Sequence, residues 1–128
     1  MIEYADANPE VREVYDDIMA TRKTDFINNF WKALANDAAT LRRTWESIKA
    51  IMAPGALDGV TKEMIYLAVS ATNQCRYCMA SHSASARNKG MTEEMFGELM
   101  AVVGLANQTN ALAMGYRVEI DQQFKGDS

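Results

Sequence analysis

Cys75-Arg76-Tyr77-Cys78 holds both cysteines of the 128-residue chain, and its single histidine, His82, follows four residues after the second. Two thiols with a two-residue spacer close into a disulfide without moving backbone elsewhere, which permits a reversible dithiol cycle. On a helix, positions i and i+4 are neighbours and i+7 lies two turns along nearly the same stripe, so Cys75, Cys78 and His82 line up and Cys78 reaches His82. With Cys75 at the helix start, the unpaired N–H groups and the positive dipole end favour a thiolate in the first turn, and the imidazole takes its proton. Glu63, upstream of the motif, reads on its own as a first-turn partner of its helix dipole.

Other readings of the same residues lead elsewhere. Attachment of c-type haem needs histidine directly after the second cysteine, and Met79 stands there. Thioredoxin-like chemistry expects a strand ahead of the motif, whereas 62–72 reads as a helix. A zinc site built from two thiolates, His82 and Glu63 is tetrahedral in principle, but no second Cys or His pair exists elsewhere to close it. In the plainest alternative, both cysteines are buried small apolar groups and His82 is a satisfied core histidine.

The elements that position these residues read as helices throughout. Asn8-Pro9-Glu10 supplies a cap, a first-turn proline and an acid, and Val11, Val14, Tyr15, Ile18 and Met19 form one face ending near Arg22-Lys23. Phe30, Trp31, Leu34 and Ala35 mark a short second helix. Leu41, Trp45, Ile48 and Met52 mark a third, which starts at Asp37 and stops at Pro54-Gly55. Thr61 is the expected cap of a fourth, which places Glu63 in its first turn. Met64, Ile65, Leu67, Ala68, Val69 and Ala71 make nearly its whole circumference apolar or small, the pattern of a helix in the middle of a bundle. A break at Asn73-Gln74 precedes the fifth, running from the Cys motif to Lys89-Gly90. Thr92 opens the sixth, Gly104 to Asn107 is the expected bend, 112–120 continues as a final helix, and 125–128 is an expected frayed tail. Met64, Met79, Met95 and Met100 read as core filler, with a wall for the site as the alternative; Trp31 and Trp45 read as core or subunit contact, and Arg42-Arg43 as a solvated face. The small residues 80–86 either admit a close neighbour or are helix filler.

Composition agrees with an all-α array of six or seven helices in one domain, 1–128. Gly and Pro total 9 residues against 19 Ala, which argues against a turn-rich β-sandwich. Thirteen basic against seventeen acidic side chains leave a net charge of −4 and no basic block, so neither nucleic acid nor a membrane surface is the expected partner. No apolar run approaches a bilayer span, and Met1-Ile2-Glu3-Tyr4 has no secretory pattern, so a cytoplasmic setting is expected. There, a close cysteine pair is redox-active or metal-binding more often than a permanent bridge.

The segment Lys62–His82, with Glu63 twelve residues before Cys75, the Cys-x-x-Cys pair and His82, resembles the core of the alkylhydroperoxidase D-like proteins of the carboxymuconolactone decarboxylase superfamily. The core motif spans 61–90 and a looser likeness runs from Phe30 to Ile120. The resemblance implies an all-helical fold, a homotrimer or homohexamer, and reduction of alkyl hydroperoxides as an antioxidant peroxidase. It implies that Cys78 attacks the peroxide, Cys75 resolves, His82 and Glu63 relay protons, and a lipoyl-bearing or thioredoxin-like dithiol protein restores the thiols. No cofactor and no resident metal enter that scheme. Where alkylhydroperoxidase D carries histidine between the cysteines, this chain has Tyr77, for which orienting, hydrogen-bond-donating and packing roles are all open. The competing expectations are a cofactor-free decarboxylase of the superfamily's other branch, which needs no cysteine pair, and a zinc-holding interaction module without catalysis.

Overall fold

The computed structural model describes residues 1–126 as six α-helices with two short 3-10 turns and, among these residues, no strand. The chain divides into two compact units, Met1–Ala53 and Pro54 onward. The last two positions of the expected frayed tail lie outside the described residues.

The first unit holds α1 (Pro9–Arg22), α2 (Asn29–Leu34) and α3 (Ala38–Met52). Asn8 caps α1 by accepting the Val11 N–H at 2.9 Å, with Pro9 at the first helical position as expected. Lys23, at φ 55°, ends it in the left-handed region. The apolar stripe Val11, Val14, Tyr15 and Ile18 is fully buried against Trp31, Leu41 and Trp45. The two indoles meet edge to face with centroids 5.6 Å apart, so both tryptophans are core residues. Asp17, on the outward side of α1, accepts from Trp45 Nε1 at 2.6 Å and from Lys49 Nζ at 2.7 Å.

The second unit packs α5 (Arg76–Asn88) and α6 (Glu93–Gly115) against α4 (Gly59–Thr72). Helix α4 begins earlier than its pattern suggests. Asp58, not Thr61, is the cap, accepting the Thr61 N–H at 2.9 Å. An ionised carboxylate outcompetes a hydroxyl for that end of the helix, and the shift moves Glu63 into the second turn, where a simple first-turn dipole role no longer fits. Gln74, at φ 59°, turns the chain between α4 and α5, and the Cys75 N–H donates back to the Ser70 carbonyl at 2.9 Å. Helix α5 closes at Gly90, whose φ of 109° suits glycine alone.

No bend interrupts α6. Asn107, expected to break it, donates to the Val103 carbonyl at 2.8 Å and to Thr72 Oγ1 at 3.2 Å, so its amide is satisfied without leaving the helix. The expected separate helix over 112–120 is therefore the end of α6, and Val118 to Ile120 lie beyond it. The core of this unit is small: Leu67, Ala86 and Met91, ringed by Met64, Met79, Met95, Phe96 and Leu99. Met64, Met79 and Met95 pack around it. The apolar circumference of α4 is only partly covered, Ile65 being 49% and Val69 54% exposed, and α6 buries none of its residues.

Candidate redox site

Cys75 is the N-cap of α5, and its sulfur accepts the Cys78 N–H at 3.3 Å. A helix-terminal N–H aimed at a sulfur is the arrangement that favours a thiolate when the pair is reduced. Cys75 and Cys78 are joined as a disulfide with Cα atoms 5.3 Å apart, and both are half-buried. Cys75 also borders an open groove of ≈ 890 Å³ that Ala71, Arg76, Met79 and Phe96 help to line. The disulfide is therefore approached from this groove on its Cys75 side.

Beside them, α4 and α5 bring together groups that lie 19 residues apart in the chain: Glu63 Oε2 and His82 Nδ1 are 2.7 Å apart. The stripe Glu63, Leu67 and Ser70 is the buried side of α4, which explains why a carboxylate only 4% exposed sits here. Its other oxygen accepts from Lys89 Nζ at 2.8 Å. Burial by itself pushes the Glu63 carboxyl up, but the hydrogen bonds from His82 and Lys89, with the charge of Lys89, outweigh it and hold the group below the usual glutamate value. The His82 ring stacks on Tyr66 with centroids 3.7 Å apart and planes 20° from parallel. One ring nitrogen is thus tied to a carboxylate and one ring face is covered, so the orientation of the imidazole is set from two sides.

All five candidate residues, Glu63, Cys75, Tyr77, Cys78 and His82, fall in this one unit, and Glu63 pairs with His82 directly. Cys78 and His82 are one turn apart on α5, but in this disulfide form neither sulfur is hydrogen-bonded to His82 among the described residues, the sulfurs being bonded to each other. Tyr77 lies in the first turn of α5 and is 44% exposed. Among the described residues no three His, Cys, Asp or Glu side chains converge as a metal-ligand set, and both oxygens of Glu63 are engaged by His82 and Lys89. Two further residues, Tyr66 and Lys89, belong to the site. Tyr66 follows Glu63 by three positions and so shares its face, and Lys89 follows His82 by seven, two turns on along its stripe; helical spacing carried both signals.

Residues 38–118 match the carboxymuconolactone decarboxylase family. A crystal structure of the alkylhydroperoxidase AhpD core from Rhodospirillum rubrum is 55% identical, covers 93% of this chain and 88% of its own, and superposes with a TM-score of 0.90. An uncharacterized protein 4 in the cox locus of Paracoccus denitrificans is 36% identical over 73 residues, 52% of this chain, which there spans 66% of the relative's length.

Proposed function

Because the chain belongs to the carboxymuconolactone decarboxylase family, with an alkylhydroperoxidase D-like fold, we propose that it is a thiol-dependent peroxidase acting on alkyl hydroperoxides. The observation that carries this reading is the 2.7 Å pairing of His82 with buried Glu63 beside a Cys75–Cys78 disulfide. The likeness to the Rhodospirillum rubrum alkylhydroperoxidase core supports it. The residue roles are part of the same proposal. In the reduced chain, Glu63 holds the proton on His82 Nδ1, leaving Nε2 to take the Cys78 proton. The Cys78 thiolate attacks the distal peroxide oxygen, the O–O bond breaks, and Cys78 becomes a sulfenic acid while the alkoxide leaves as alcohol with the proton from His82. The Cys75 thiol condenses with the sulfenic acid, releasing water and forming the disulfide seen here. An external dithiol, on a lipoyl-bearing or thioredoxin-like protein, is oxidised as it restores both thiols. Tyr77 flanks the attacking sulfur and orients the incoming peroxide.

We place the cycle in the cytoplasm, where thiols are kept reduced. Among the described residues no helix is long and apolar enough to cross a membrane. One domain over 1–128 is proposed, because the family match runs across the boundary between the two compact units. Assembly as a homotrimer or homohexamer is supported by the exposed Val102, Leu105 and Leu112 of α6, a surface that a monomer has no reason to leave wet.

The test is a reduced chain mixed with cumene hydroperoxide, followed by thiol titration. Loss of two thiols per chain, reversed by dithiothreitol and abolished in Cys78→Ser, is expected. Peroxide left unconsumed by the fully reduced protein rules the reading out and favours a decarboxylase, whose activity on a carboxymuconolactone would survive Cys78→Ser.

A further inference from the structure

We propose that Lys89 is a positioning residue of the redox site: its ammonium, bridged through Glu63, keeps His82 in the neutral form that accepts the Cys78 proton. The inference rests on the peroxidase reading for its consequence but not for its geometry. Lys89 Nζ lies 2.8 Å from Glu63 Oε1 while His82 occupies Oε2, so a single carboxylate is shared by a fixed cation and a titrating ring. Two backbone features aim that side chain. Lys89 is the C-cap of α5, its N–H bonded into the last turn and followed by the left-handed Gly90. Its stem then crosses the start of α4 at Gly59, where a Cβ would lie 3.4 Å from Lys89 Cδ and 3.8 Å from Cε.

The charge balance decides what this contact does. With Glu63 ionised and Lys89 protonated, the pair is neutral, and protonating His82 adds an uncompensated positive charge in a place where the His82 side chain is only 16% exposed. Without Lys89, an imidazolium would complete a neutral pair with Glu63 and be favoured instead. A carboxylate beside a histidine ordinarily makes it more basic. Lys89 cancels that effect while leaving the orienting hydrogen bond in place.

The remaining groups around His82 do not substitute for it. From α4, Glu63 and Tyr66 face the ring, the latter through its stacked face. On α5, Cys78 lies one turn before His82, and Arg87 is engaged by Glu93 of α6 at 3.1 Å. Glu94 and Glu98 of α6 and Arg76 at the start of α5 are exposed to solvent.

The chain has one histidine, so its ring resonances report His82 without ambiguity. The experiment follows that titration by NMR in the reduced chain for the unaltered protein, Lys89→Met and Lys89→Arg. Lys89→Met is expected to move the imidazole midpoint to higher pH by about one pH unit. Lys89→Arg should restore it. Midpoints that coincide in Lys89→Met and the unaltered chain overturn the proposal, as does an arginine variant that behaves like the methionine one. Lys89→Gln replaces the methionine variant if the latter does not fold. Absence of peroxide consumption in the unaltered chain would remove the proposed function while leaving the NMR titration to judge Lys89.

Discussion

Two carboxylates in this protein are gripped in the same way, each by a ring nitrogen and a lysine, and only one of them is equipped for chemistry. In the first unit, Asp17 accepts from the Trp45 indole at 2.6 Å and from Lys49 at 2.7 Å. In the second, Glu63 meets His82 at 2.7 Å and Lys89 at 2.8 Å. The Asp17 side chain is 43% exposed and that of Glu63 5% exposed. An indole N–H never titrates near neutrality, whereas an imidazole does, so the first trio is a latch that fastens α1 to α3 and the second can move a proton. Burial separates them further, since electrostatic coupling around Glu63 is poorly screened and that around Asp17 is open to water and salt. The comparison teaches that a shared hydrogen-bond pattern does not make a site; the ring that titrates, the dry carboxylate and a nearby sulfur do.

Removing the structural ring breaks the comparison on the stability side. Trp45→Ala empties a site 2% exposed in the first unit's core, and a loss of about 3–5 kcal/mol is expected in urea unfolding, while thiol reactivity of the folded fraction stays unchanged. A variant as stable as the parent would show that the indole is not core. Neutralising each carboxylate separates the pair on the activity side. Glu63→Gln, which removes the carboxylate that orients the base His82, should slow peroxide consumption by roughly 10²-fold, the lower end of what a positioned general base supplies, whereas Asp17→Asn should leave the rate where it was. Equal losses in both would mean that Glu63 acts only through folding.

The smallest effect is in acid. The Lys49 and Trp45 hydrogen bonds hold the Asp17 carboxyl below its usual value, and Glu63 is held low against its burial by His82 and Lys89. A carboxyl whose folded value is depressed contributes stability that is complete above the unfolded value, about pH 4, and is lost as pH falls through the lowered one. Unfolding midpoints measured from pH 7 down to 3 should therefore decline most below about pH 4. Glu63→Gln should flatten that decline at any salt concentration, Asp17→Asn only at low salt. Parallel curves for all three proteins would contradict the sign argued here.

Features set by neighbours within a turn or two were legible from residue order. Asn8-Pro9 begins α1, Gly90 ends α5, and Cys75 stands at the start of a helix that carries Cys78 and His82, because caps, left-handed stops and helical spacing depend on the local backbone alone. The start of α4 was misplaced to Thr61 because Asp58 is an equally local and stronger cap, and α6 was split because Asn107's side-chain bond to Thr72 on another helix is invisible from its neighbours. The resemblance over 62–82 named the family, a conclusion that spacing of thiols and imidazole could not reach unaided.

Residue order determined the chemical types available: two thiols, one imidazole, an acid twelve positions upstream, and helices to carry them. Tertiary structure decided which of them meet. Docking of α5 on α4 put His82 on one oxygen of Glu63, Lys89 on the other and Tyr66 against the ring. Such contacts depend on how two helices are rotated about their axes, and that rotation is settled by the summed packing of Leu67, Ala86 and the surrounding methionines rather than by any stretch of backbone alone.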